Sequence, residues 1–275
     1  MSVRPTPAAV FSFSRVKTFA QCPLRYRYRY VDGLEEAFTS VEAALGTAVH
    51  AALEWLYAER GAGREPGPAE AVAAFDRAWE EATGPRVAVV RAGETVAVYA
   101  ARGREMVARF AAGVFARDRS RTVALERRVS VRLAEDVVFT GIADRIGRTE
   151  TGRLFVVDYK TAASGGAWPE HENGLQARLY AAALLAGHPQ EDGVLAGFHY
   201  LASGETRWER VPRAAAPGVW ARFLELAREA LAATEFPARP GVLCAWCGFN
   251  HRCPAARVPE ELSGGVTLAR RRAGG

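Results

Sequence analysis

The sequence predicts an α/β fold, and three observations carry that prediction. Two stretches of hairpin composition, 139–160 and 194–211, are separated by a helical stretch at 174–187. Apolar residues recur at helical spacing over 41–60, where Leu45, Val49, Leu53 and Leu56 share a face. The chain has 275 residues, 49% hydrophobic and 24% charged, which suits one large domain or two small ones.

Taken in order, residues 1–11 read as a loose, flexible start. Ser12 or Ser14 can cap a helix running toward Cys22-Pro23. Arg and Tyr alternate through 24–31, which fits a strand of period two and equally a helix. In the helix, Arg25 aligns with Arg29 and Tyr26 with Tyr30. Cations interleaved with aromatics make a surface for a single nucleic-acid strand. The same residues also suit a tyrosine core beneath a solvated arginine face. The helix at 41–60 carries Gly46, His50 and Tyr57 on a neighbouring stripe. Gly46 is expected to allow close approach to a sheet, and a lone histidine in such a helix is ordinarily a satisfied core residue. A linker at 61–68 leads to two helices, 69–82 and 94–117. Strands are expected at 122–133, 137–148 and 154–160. A polar loop at 162–173 would border an active site. The helix at 174–187 sets Gln176 and Tyr180 on one face. Then come a hairpin, 194–202 with 206–211, a helix at 217–234, and a basic tail at 257–275 read as disordered.

The hairpin carries the chemistry. Asp144, Asp158 and Lys160 sit at its far ends. Asp158 and Lys160 share a face, with Tyr159 on the other. A turn at 149–152 leaves Asp144 and Asp158 one residue out of register, so a bulge or an asymmetric turn is needed if both hold one ion. Paired carboxylates make a hard oxygen site suited to Mg²⁺ or Mn²⁺. An adjacent ammonium can orient water or stabilise charge on a phosphate. Only Lys17 and Lys160 among the 36 Lys and Arg residues are lysine. A chain that uses arginine for generic cations keeps lysine where a compact ammonium is needed. Glu126, on the preceding strand, is left out of the ligand set.

Net charge is +5 with a pI near 9.2, which permits a polyanionic partner. No run reaches the roughly 18 apolar residues of a membrane span. The N-terminal stretch lacks a signal peptide's apolar core, so the reading is cytoplasmic, with no membrane partner. No phosphate-loop sequence occurs, so these residues carry no phosphate-loop ATPase of their own.

Three of the four cysteines cluster in Cys244-x₂-Cys247-x₅-Cys253, and the fourth is Cys22. Two disulfides do not suit a cytoplasmic chain of this size. A Cys₄ zinc site and a [4Fe–4S] cluster both fit the spacing. Either would tie the two ends of the chain together.

These residues together resemble the RecB-like branch of the PD-(D/E)XK nucleases, in its iron–sulfur form. That form includes the CRISPR-associated exonucleases and the nuclease domains of AddAB-type helicase–nucleases. The resemblance covers about 12–256. It rests on the segment from Ser14 to Cys22-Pro23 and on Tyr30-Val31-Asp32-Gly33-Leu34. It rests further on Gly46-Thr-Ala-Val-His50, Gly141-Ile-Ala-Asp144, Asp158-Tyr159-Lys160, Gln176-Ala-Arg-Leu-Tyr180 and the split cysteine pattern. It implies a central mixed β-sheet flanked by helices, a restriction-endonuclease-like core. A helical insertion would span about 62–118, and an Fe–S-stapled cap would join Cys22 to 244–253.

The same resemblance implies a Mg²⁺- or Mn²⁺-dependent DNA nuclease, a single-strand exonuclease of repair, recombination or CRISPR processing, with a helicase or CRISPR partner. His50, Asp144, Asp158 and the Tyr159 carbonyl would hold the metal, and Lys160 would be catalytic beside both aspartates. Gln176 and Tyr180 would contact DNA or position the lysine, while Arg25, Tyr26 and Arg29 guide the strand. Cys22, Cys244, Cys247 and Cys253 would hold a [4Fe–4S] cluster, with structural Zn²⁺ as the alternative. The rival functional readings are a non-catalytic DNA-binding or scaffolding subunit of a helicase–nuclease complex and a zinc-stabilised binding protein.

Overall fold

Leu154–Lys160 is apolar at most positions, as a strand covered on both faces must be, and it lies inside the sheet. The computed structural model describes residues 8–162, 172–258 and 267–268. Its strands are β1 (Ala9–Phe11), β2 (Thr39–Ser40), β3 (Val87–Val89), β4 (Arg121–Arg132), β5 (Val137–Arg148), β6 (Leu154–Lys160), β7 (Gly193–Tyr200), β8 (Glu205–Pro212) and β9 (Thr267–Leu268). The helices are α1 (Phe13–Gln21), α2 (Pro23–Tyr26), α3 (Val41–Gly61), α4 (Pro68–Ala82), α5 (Val96–Phe110), α6 (Glu172–Gly187) and α7 (Ala216–Ala232).

The main sheet runs β1-β5-β6-β7-β8, with β4 paired to β5. β1–β5 and β6–β7 are parallel; β4–β5, β5–β6 and β7–β8 are antiparallel. The sheet is therefore mixed, and helices cover both faces. Leu154 and Val156 enter a core with α1, α6 and α7. Phe155, Val157 and Tyr159 enter a second core with α3, α4 and α5. Period-two alternation along one strand feeds both layers. On α3, Leu45, Val49, Leu53 and Leu56 are buried together as the spacing predicts.

Several expectations are corrected. Residues 24–31 are helical: Pro23 starts α2, and the chain continues through a π-helical turn at Arg27–Val31. The start of the chain is not loose throughout, because β1 pairs with Val137–Phe139 and Phe11 is fully buried. In the tail, Thr267–Leu268 pairs with Val89 and Ala88 in a small second sheet with β2. The remaining parts of those expectations, at 1–7, 259–266 and 269–275, lie outside the described residues, as do positions 163–171 of the loop expected at 162–173. Gly46 does not press on a sheet; a Cβ there would meet nothing within 4 Å. In that helical layer the tight contact is instead at Gly103 of α5, where a Cβ would fall 2.2 Å from Phe75 and 2.9 Å from Leu45.

The hairpin register is also corrected. Arg153 belongs to the turn: Thr149 and Arg153 share a hydrogen bond, and Arg148 pairs with Leu154. That symmetric turn aligns Arg145 with Val157, and continuing the register sets Asp144 opposite Asp158 on one face. No bulge is needed in this hairpin. The irregularity lies one strand over. Val129 and Val131 of β4 face the α6 core, whereas Leu125 faces the α3 core. In β5, Phe139 and Ala143 face α6, as do the even positions from Ile146 on. Both strands switch faces at Glu126 and Asp144, which are opposite in register. Glu126 has φ +42°, the described residues' lone non-glycine left-handed backbone.

Candidate active site

α3 begins at Ser40, whose hydroxyl accepts from the Ala43 amide, and carries His50 past the end of β6. β5 and β6 part after Arg145 and Val157. There the Asp144 carboxylate takes over from the ladder, accepting the Tyr159 amide at 2.8 Å. The Tyr159 carbonyl lies 2.7 Å from His50 Nε2, and His50 Nδ1 lies 3.4 Å from Asp144 Oδ2. Both backbone polar groups of Tyr159 are thus engaged by candidate ligand side chains. Its ring points away, into the α3–α5 core.

On the α6 side, Asp158 is buried with Lys160 Nζ at 2.6 Å. Gln176 links the two: its Nε2 donates to Asp158 Oδ1 at 3.0 Å, and its Oε1 accepts from Lys160 at 3.2 Å. Tyr180, one turn later, has its hydroxyl 3.5 Å from Gln176 Nε2. Its ring abuts Gly141, where a Cβ would sit 2.5 Å from Cε1. The glycine of the Gly141–Asp144 segment is what lets α6 approach β5.

The electrostatics follow from burial and proximity. Burial alone would lower the His50 pKa, but the hydrogen bond and charge of Asp144 outweigh it and push it up to about 9. Burial raises Asp158 to about 6 against the pull of Lys160. Burial, then the charge of Asp144, raises Glu126 to about 7. Three acids and a histidine crowd one end of the sheet, an arrangement that a divalent cation would relieve.

Glu126 is the residue that sequence reasoning left out. Among the described residues, His50, Glu126 and Asp144 are the one group of three His, Cys, Asp or Glu side chains whose ligand atoms all lie within 4.8 Å. The available signal was its place opposite Asp144; alternation across a regular strand hides it. His50, Asp144, Asp158, Lys160, Gln176, Tyr180 and the Tyr159 carbonyl all converge here. Arg25, Tyr26 and Arg29 do not. Tyr26 is 2% exposed, packed on Phe19, Tyr30 and Phe236, so its ring is no stacking platform. Arg25 and Arg29 both pair with Glu36.

The four cysteines meet elsewhere. Cys22, Cys244, Cys247 and Cys253 line one small cavity with Leu24, Arg25 and Tyr28. The Ala37 amide donates to the Gly248 carbonyl at 3.0 Å, and Arg239 reaches the Ala20 carbonyl, so the terminal segments are joined around it.

Known structures share this fold. A Eubacterium rectale protein inferred to be an exonuclease superposes with a TM-score of 0.52 at 12% identity, over 92% of this chain and 91% of that one. SSO0001 matches at 14% identity and TM-score 0.40, over 93% of this chain and 90% of that one. No curated protein sequence matches significantly. The family description that matches residues 10–254 is that of the PD-(D/E)XK nuclease superfamily, so nearly the whole length is accounted for, and the chain belongs to that superfamily.

Proposed function

We propose that this protein is a metal-dependent DNA nuclease that hydrolyses phosphodiester bonds, acting as a single-strand exonuclease. One observation carries the reading: His50 and Asp144 clamp the two backbone groups of Tyr159 while Asp158 and Lys160 flank it. The donor set of imidazole, carboxylates and carbonyl suits Mg²⁺ or Mn²⁺. His50, Glu126, Asp144, Asp158 and the Tyr159 carbonyl would hold the ion. When bound, it would supply an acidified water and neutralise the scissile phosphate. Lys160, fixed by Asp158 and Gln176, directs an ammonium toward the attacking water or the charge that builds on phosphorus oxygens. Gln176 keeps Asp158 and Lys160 at a fixed separation, and Tyr180 supports Gln176 from behind.

We read the cysteine cavity as the site of a [4Fe–4S] cluster, as the resemblance of the split cysteine pattern implies, with structural Zn²⁺ as the alternative. Tetrahedral zinc at about 2.3 Å from each sulfur sets the sulfurs roughly 3.8 Å apart. A [4Fe–4S] cube holds its four thiolates farther apart than that, and iron against zinc content of the purified protein separates the two. The cluster's role would be structural, since hydrolysis needs no electron transfer.

Purified protein incubated with Mn²⁺ and end-labelled single-stranded DNA tests the proposal. Cleavage should be abolished in Asp158→Ala, with DNA binding retained. Cleavage at the wild-type rate by that variant would reject the site. A helicase or CRISPR partner and a repair or recombination setting remain the contexts such an activity would serve.

A further inference from the structure

On the α3 face of the main sheet, away from Asp158 and Lys160, β6, β7 and β8 form the floor of a cavity of about 620 Å³. Pockets for small ligands span roughly 300–1,000 Å³. Strand register sets the floor in rows. Tyr159, His199 and Thr206 lie side by side across the three strands, and Val157, Gly197 and Trp208 form the next row. Gly197 has no side chain, so the Trp208 indole covers it; a Cβ there would sit 2.5 Å from Cε3. Trp208 meets the Phe155 ring edge to face, with centroids 5.7 Å apart, and is 47% exposed. The wall comes from Tyr57 of α3 and from Val114 and Arg117, in and just after the π-helical turn Ala111–Phe115 that continues α5.

The cavity is aromatic, yet its polar groups are not all satisfied. His199 is 3% exposed, and Thr206 engages only its Nδ1, at 2.6 Å. Its Nε2 has no hydrogen-bond partner among the described residues, a cost that the polar edge of a bound molecule would remove. An imidazole nitrogen can donate or accept there. Charge is also unbalanced. Arg145 and Arg117 line the cavity against one carboxylate, that of Asp118. Arg145 donates to Asp118 at 2.7 Å and the Tyr57 hydroxyl donates to it at 2.9 Å, so Asp118 is occupied. Arg117, which is exposed, therefore leaves one net positive charge on the lining. Open rings, a hydrogen-bonding nitrogen and a guanidinium together complement a nucleobase joined to a phosphate.

We infer that this cavity binds a nucleoside monophosphate, with the base on Trp208 and Phe155, its edge at His199 and Thr206, and its phosphate at Arg117. The source of the occupant rests on the nuclease reading, since an exonuclease releases such nucleotides one at a time. The site is separate from the catalytic one. Tyr159 alone belongs to both, through its ring here and its backbone there.

The test is equilibrium dialysis of radiolabelled dAMP against the full chain in EDTA, which leaves the catalytic centre without its ion. Wild type should retain one equivalent. Trp208→Ala should weaken binding about tenfold, the loss of one base–aromatic contact. Arg117→Glu should weaken dAMP about tenfold and leave adenosine within about twofold, because only the phosphate meets that residue. Both side chains are exposed, so neither change should unfold the chain. Lys160→Ala should bind dAMP as wild type does. No retained dAMP, orthophosphate held as tightly as dAMP, unchanged binding in either cavity variant, or loss of binding in Lys160→Ala would each overturn the inference. A wild type that cuts single-stranded DNA but retains no dAMP keeps the nuclease reading and rejects the cavity. One that binds dAMP with these dependences but cuts no DNA keeps the cavity and rejects the nuclease reading.

Discussion

At the scale of single residues, Lys160 is the most specific choice in the proposed site. Its ammonium sits between Asp158, Gln176 and the Phe198 ring. A planar guanidinium is larger and fixed in shape, so Lys160→Arg should lose activity about as fully as Lys160→Ala, on the order of 100-fold or more in kcat. Substantial activity in Lys160→Arg would show that any cation suffices. His50, Glu126 and Asp158 make a second prediction, about pH. Folding raises their pKa values to about 9, 7 and 6. Each therefore binds its proton more tightly folded than unfolded. The stability so contributed is complete below the unfolded values and is lost as pH rises through the folded ones. In EDTA, the melting temperature should fall between about pH 5 and pH 9, by about 2 °C or more. Mn²⁺ should shrink that fall, because the cation favours deprotonated ligands. A melting temperature that climbs across this window in EDTA would contradict the assignment.

At the scale of elements, the site depends on how closely α6 approaches β5. Gly141→Ala would drive a methyl group into the Tyr180 ring, costing about 1–3 kcal/mol by overpacking and displacing Gln176 from Asp158. In a Tyr180→Ala background the same substitution should cost much less, and a double-mutant cycle measures the coupling. Additive losses would mean the two do not meet. The elements themselves were largely legible. The 3.6-residue pattern of α3 and the apolar run of β6 follow from local chemistry, and each folded as read. What sequence concealed was non-local. Whether Arg153 joins the turn decides if Asp144 and Asp158 share a face, and composition around Thr149–Gly152 does not settle that. Glu126 reaches the site only because β4 and β5 reverse faces together, a departure from alternation that no single strand announces. Tyr26 shows the same limit: the Arg–Tyr repeat left a binding surface and a tyrosine core both open, and tertiary packing took the ring inside.

At the scale of the whole molecule, the cysteine cavity joins segments about 220 residues apart in sequence. Ligation there should hold both ends at once, so Cys22→Ser and Cys253→Ser should behave alike. Each should lose iron and lower the melting temperature by about 4 °C or more. Zinc rather than iron in the wild-type protein, or a Cys22→Ser variant with full iron and an unchanged melting temperature, would refute the assignment.

The engagement of Tyr159 by Asp144 and His50 has a practical corollary. One amide proton rests directly on a carboxylate that would ligate the ion. Its nuclear magnetic resonance signal, in isotopically enriched protein, should shift when a diamagnetic cation such as Mg²⁺ enters and draws that oxygen away. A titration following this peak alone would report occupancy of the centre with no nucleic acid present and no turnover required.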